Sequence, residues 1–132
     1  MNKFESSVAD FQKAVERLTE ILREEKTDIV RDSAIKRFEL AFDLAWKTVK
    51  AFLEDNHSIF CASPQNCFRE AFRMGIIDYD DFWLEIAKLR NRTVHAYDEV
   101  MADEIYEALP KVLTFFQKLI LSINKQPDSK SV

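Results

Sequence analysis

The chain has 132 residues, 47% of them hydrophobic and 32% charged, with a net charge of −4. That describes one globular domain with enough apolar mass for a core; it excludes a disordered chain and one drawn as a whole to nucleic acid or anionic membrane. The single glycine, Gly75, excludes a glycine-rich phosphate loop, a dinucleotide fingerprint and the Gly-Ser loop of a nucleotidyltransferase, and it argues against a turn-rich all-β fold.

Phe4, Val8, Phe11, Val15, Leu18 and Leu22 recur at spacings of three and four, the apolar stripe of a first helix. The stripe is too short for a coiled-coil seam and reads as core packing. Residues 24–28 are a polar break in which Thr27 or Asp28 can cap the next helix, predicted over residues 29–54. Ile35, Phe38, Phe42, Ala45, Val49 and Phe52 form its main stripe. Trp46 and Leu53, with Ala34 and Ala41, extend the stripe onto a second face. Such a helix is either central in a bundle or placed at a subunit interface. Arg37 and Glu39 interrupt it and face solvent or a partner.

Residues 55–63 read as a loop. Ser63 followed by Pro64 is an N-cap with proline at the first helical position, opening a short helix over residues 65–74 that ends at Gly75. Asp78, Asp80 and Asp81 place negative charge at the start of a fourth helix, which carries Phe82, Ile86 and Leu89 inward. The last helix covers residues 102–124, with Ile105, Leu109, Val112, Phe116, Leu119 and Ile123 in register and a kink expected at Pro110. Residues 126–132 form a polar tail, expected to be disordered, behind a single domain over residues 1–125. The fold class is therefore all-α, an up-and-down bundle of about five helices.

Cys61 and Cys67 form no C-x-x-C pair and are too few for a disulfide scaffold, so a reducing cytoplasm fits. No basic-then-apolar leader opens the chain and Lys118 breaks the longest apolar run, so neither signal peptide nor membrane span is expected. Asp78-Tyr79-Asp80 has the spacing of a metal-binding carboxylate pair, but without glycine and serine upstream it reads as a helix cap. His57, Cys61, Cys67 and His95 match no common zinc spacing, and the cysteines read as small buried apolar residues. No metal and no cofactor is called for.

One stretch stands apart: Leu89-Arg90-Asn91-Arg92-Thr93-Val94-His95-Ala96-Tyr97-Asp98, at the end of a helical segment over residues 80–94. A permanently cationic guanidinium and an imidazole with a pKa near ~6.5 are the usual pair for handling a phosphodiester without a metal. The bland alternative is helix capping and solvation. Arg90 and His95 lie about 140° apart on an ideal helix, so they share no face as Asn91 and His95 do. A single site then needs the helix to loosen near Val94, Arg90 to reach around, or a second subunit to supply half the groups.

Arg90-Asn91-Arg92-Thr93-Val94-His95 resembles the R-x4-H motif of the HEPN superfamily, and Tyr97 extends it to R-x4-H-x-Y. The stretch Arg31-Asp32-Ser33-Ala34-Ile35-Lys36-Arg37-Phe38-Glu39-Leu40-Ala41-Phe42-Asp43-Leu44-Ala45-Trp46-Lys47-Thr48-Val49-Lys50 resembles the signature helix of one branch, the nucleotidyltransferase substrate-binding proteins. These are similar to the helical domain of kanamycin nucleotidyltransferase and occur beside a separate minimal nucleotidyltransferase. The resemblance implies a helical-bundle homodimer whose two R-x4-H motifs line a shared cleft. In family toxins that cleft cleaves RNA without metal, and the partner nucleotidyltransferase acts as antitoxin and transfers AMP to the tyrosine of the motif. Carried over by position, Arg90 and His95 are catalytic and Tyr97 is the acceptor. Nothing here departs from the motif.

The chemistry agrees with that implication. RNA attacks its own phosphate through the 2′-hydroxyl, His95 moves the protons, and Arg90 stabilises the pentacoordinate phosphate. Asn91 could orient the imidazole; Lys88 and Arg92 could hold flanking phosphates. The rival reading is a non-catalytic substrate-binding or regulatory subunit of a two-chain nucleotidyltransferase. A plain dimerisation module leaves Arg90 and His95 unexplained.

Overall fold

In the computed structural model, which describes residues 2–126, every regular element is helical: α1 (Lys3–Leu22), α2 (Asp28–His57), α3 (Pro64–Arg73), α4 (Phe82–Arg92), a 3-10 turn (Thr93–His95) and α5 (Glu99–Lys125). The all-α bundle expected from periodicity is the observed fold. Four helices begin on a side chain that accepts a free backbone N–H: Asn2 from Glu5, Thr27 from Val30, Ser63 from Asn66, and Asp98 from Val100 and Met101. Each such cap stabilises its helix by about 1 kcal/mol. Asp80 accepts the N–H of Phe82 at the head of α4, as a capping carboxylate does.

Helix α2 is central. It packs most extensively on α1 and also meets α3, α4 and α5. Ala34, Ala41 and Leu53, the second apolar face anticipated from sequence, are all buried within the chain; Trp46 is half-buried. The two-sided pattern is thus explained by a core position, and it gives no support to a subunit interface on α2. Phe11, Phe38 and Phe116 are fully buried and meet as a ring cluster joining α1, α2 and α5. Truncating any of them would cost about 3–5 kcal/mol.

Boundaries shift by a few residues. α2 continues three residues past the expected end and stops at Ser58, in the left-handed region at φ 54°. α5 starts at Glu99 because Asp98 caps it, and it runs unbroken through Pro110, which lies on the exposed face. Gly75, at φ 75°, closes α3 as expected, where a side chain would be strained. The proposed polar tail, beyond Gln126, lies outside the described residues.

One expectation is overturned. Cys61 and Cys67 are joined in a disulfide, with Cα atoms 5.2 Å apart. Six residues of separation suffice for a bridge, because the loop turns straight into α3 and brings the two Cβ atoms together. Counting cysteines could not reveal this, and the cysteines no longer argue for a reducing compartment. The pairing also leaves His57 without thiolate neighbours; its ring meets Phe52 edge-on. Among the described residues, no helix is long and apolar enough to cross a membrane.

Candidate functional site

α4 ends at Arg92, the chain tightens into the Thr93–His95 turn, and Asp98 starts α5. Of the three ways to join Arg90 and His95, a helix loosened near Val94 is not what forms: the chain tightens there instead. It places His95 and Tyr97 on a short, exposed corner between two rigid helices. Their rings lie 6.1 Å apart, edge to face. Tyr97 is 84% exposed and Val94 67%, with Val100 similarly open beside them.

Arg90 sits differently. Its side chain is 26% exposed and turned toward α2. Asp43 grips the guanidinium with both oxygens, Nε to Oδ1 at 3.2 Å and Nη2 to Oδ2 at 3.3 Å. Nη1 donates to Thr93 Oγ1 at 3.0 Å and lies 3.9 Å from Glu39 Oε2. The buried Thr93 hydroxyl in turn donates to the Arg90 carbonyl at 2.7 Å. Glu39 and Asp43 are four residues apart on α2, so one helix face presents both carboxylates. A two-point clamp of this kind fixes the plane of a guanidinium as well as its position.

The Arg90 guanidinium opens onto a groove of about 460 Å³ between α1, α2 and α4, whose wall includes Ser33, Leu40 and Asp43. No hydrogen bond or ion pair joins Arg90 to His95 among the described residues: Arg90 faces the groove and His95 faces out. The remaining motif residues point elsewhere. Arg92 pairs with Glu104 at 2.8 Å and touches the Met101 sulfur, which ties α4 to α5. Asn91 is exposed beside a separate small cleft with Phe42 and Ser63, and makes no hydrogen bond to His95. Lys88 pairs with Glu85 along α4.

Sequence reading missed Asp43 and Thr93 as partners of Arg90, and left Glu39 as an interruption. The available signal was two carboxylates one turn apart on a helix with two apolar faces. It also missed Arg31, whose side chain is 7% exposed and held by Asp32, Asp103 and Asp28. The hydrogen bond that Arg31 donates to Asp32, with Asp103 and the charge of Asp28 behind it, raises the Arg31 pKa above its ordinary value, against burial that works to lower it.

The fold and the motif define a small helical protein of the HEPN-like type, and the comparisons agree. Residues 1–125 match the family described as nucleotidyltransferase substrate binding protein like, and the chain belongs to that family. A Haemophilus influenzae protein named "Probable ribonuclease HepT" is 30% identical over 93 residues, which are 64% of this chain and 64% of that protein. The chain thus spans a little under two thirds of that relative's length. A crystal structure of a Thermus thermophilus protein superposes with a TM-score of 0.79 at 29% identity, over 88% of this chain and 99% of that one.

Proposed function

We propose that the protein is a metal-independent endoribonuclease, neutralised by a separate minimal nucleotidyltransferase. The observation that carries this is the Arg90 clamp: a guanidinium fixed in orientation, yet still open to an anion, five residues before an exposed histidine. In the reaction, the ribose 2′-oxygen attacks the adjacent phosphorus and the P–O5′ bond breaks, giving a 2′,3′-cyclic phosphate and a 5′-hydroxyl. His95 takes the proton from the 2′-hydroxyl or delivers one to the leaving O5′. Arg90 stabilises the charge of the pentacoordinate phosphate, with Asp43 and Thr93 holding it in place. Asn91 and Arg92 act at the rim rather than on the reacting atoms. RNA as substrate puts the working site in the cytoplasm.

Arg90 and His95 of one chain do not meet, so we place the reacting phosphate in a homodimer, between groups from two copies. The exposed apolar side chains of Val94, Tyr97 and Val100 next to His95 support a second copy seated there. Tyr97 is the modification site. Its phenolic oxygen attacks the α-phosphorus of ATP in the partner enzyme, pyrophosphate leaves and the phenolic proton goes to solvent. The added phosphate and base then block the cleft. A mass gain in whole AMP units after co-expression, absent from Tyr97→Phe, is the expected sign.

The deciding experiment is RNA cleavage in EDTA by the full chain. Activity that survives chelation and is lost in His95→Ala, by about 10²-fold or more, is expected. No cleavage by a purified dimer, or equal cleavage by the variant, would sink the proposal. The second reading, a substrate-binding subunit, is favoured by the family's description and by the two carboxylates that already neutralise Arg90. It predicts small-molecule or nucleotide binding without strand cleavage.

A further inference from the structure

The chain is acidic overall, yet its basic groups are not evenly spread. The groove that ends at Arg90 is lined by four cations, Arg17, Lys36, Arg37 and Arg90, against two carboxylates, Glu39 and Asp43. Asp43 is already engaged by Arg90, and Glu39 lies between Lys36 at 3.6 Å and Arg90 at 3.9 Å. The two other large clefts differ in kind. One is lined by Glu5 and Asp55 with no cation, the other by Arg69 against Asp78 and Asp80.

The cations are also free to act. The Arg17 side chain is exposed and has no hydrogen-bond or ion-pair partner among the described residues. Lys36 is 82% exposed and meets Glu39 only at 3.6 Å, a contact worth little in water. Arg37 spends one nitrogen on the Arg17 carbonyl, at 2.7 Å, which pins it at the α1–α2 crossing; its other nitrogens have no partner among the described residues. Ser33 adds a hydroxyl to the same wall.

We propose that this α1–α2 groove is the track for the phosphate backbone of a single-stranded RNA, running from Arg90 toward Arg17 and beyond the reacting bond. The inference builds on the ribonuclease reading and deepens it. Cations along a groove that lacks aromatic stacking platforms read backbone rather than bases, so binding along the track is sequence-tolerant. The track lies within one chain and needs no second copy. It supplies locally the attraction that the net charge of −4 denies.

The test uses the full chain carrying His95→Ala, so that RNA stays intact, and a labelled oligouridylate as probe. Arg17→Glu with Lys36→Glu should weaken binding about ten-fold or more and flatten the salt slope by about 1.4, the loss of two phosphate contacts on a single strand. Lys3→Glu with Lys125→Glu, two exposed lysines outside the groove, is the control of equal charge change. Helicity confirms folding. Unchanged affinity and slope in the double variant overturn the track, even if the parent cleaves RNA. Loss of binding in the double variant supports the track, even if the parent cleaves nothing, in which case only the nuclease reading falls. ATP binding with no RNA binding overturns it in favour of a nucleotide site.

Discussion

Arg31 and Arg90 each hold more than one carboxylate, and they differ in what they leave free. Arg31 is 7% exposed, surrounded by Asp28, Asp32 and Asp103, and its contacts span α2 to α5. Arg90 is 26% exposed, gripped by Asp43 with Glu39 nearby, and its contacts span α4 to α2. Both are multiply paired arginines at a helix crossing. Arg31, however, is enclosed by its acids, whereas Arg90 is held from one side with an open groove on the other. Pairing alone therefore does not separate a brace from the working cation proposed for Arg90; the side that stays accessible does.

Exchanging the roles gives the largest expected effects. Arg90→Ala should cut RNA cleavage by about 10²-fold or more while the melting temperature stays close to the parent's. Arg31→Ala should do the reverse, lowering the melting temperature by about 5 °C with cleavage intact below the transition. Measuring both quantities on both variants breaks the comparison if the two arginines behave alike. The next effect is smaller. Asp43→Asn keeps the shape of the clamp but loses its charge, so turnover should fall about ten-fold as Arg90 gains freedom. RNA affinity should hold or tighten, because the groove becomes more positive. A parallel loss of affinity and turnover would mark Asp43 as merely structural.

The helices were legible because their signals are local. Stripes at spacings of three and four, Thr27, Ser63 and Gly75 mark elements without knowledge of what they pack against. Arg90, His95 and Tyr97 were legible as a motif, but not their relation. Asp43 lies 47 residues from Arg90, and nothing local announces that two helices will cross there. The two-sided pattern of α2 is plainly apolar in sequence yet open as to cause, since a core and an interface demand the same residues. The Cys61–Cys67 bridge escaped the sequence because counting cysteines says nothing about a loop that folds back on itself.

That bridge allows a sharper test of what holds the site's surroundings. It closes a short loop that leads into α3, and loop-closure entropy for such a length corresponds to about 2 kcal/mol. Reduction, or Cys61→Ser with Cys67→Ser, should lower the stability of the oxidised protein by that order. Denaturant titration with and without reductant measures it. An equal midpoint in both conditions, with thiol titration showing the bridge intact beforehand, would make the disulfide energetically idle. Cleavage should change little, since Arg90 takes its contacts from α2 and the turn after α4.

The smallest expected effect tests the brace alone, through pH. Lys26, at 3.0 Å, and then Arg31, at 3.2 Å, hold the Asp103 carboxyl below its ordinary pKa. A carboxyl depressed in the folded state stabilises the fold above its unfolded value, near ~3.9. That contribution fades as pH falls through the lower, folded value, because protonation then costs the native state its ion pairs but costs the unfolded chain nothing. The parent should therefore lose stability below about pH 4 more steeply than Asp103→Asn, whose neutral amide does not titrate. The two should differ most at neutral pH and converge in acid. If Asp103→Asn shows the parent's full acid dependence, the carboxylates around Arg31 contribute no pH-linked stability, and the brace acts by packing alone.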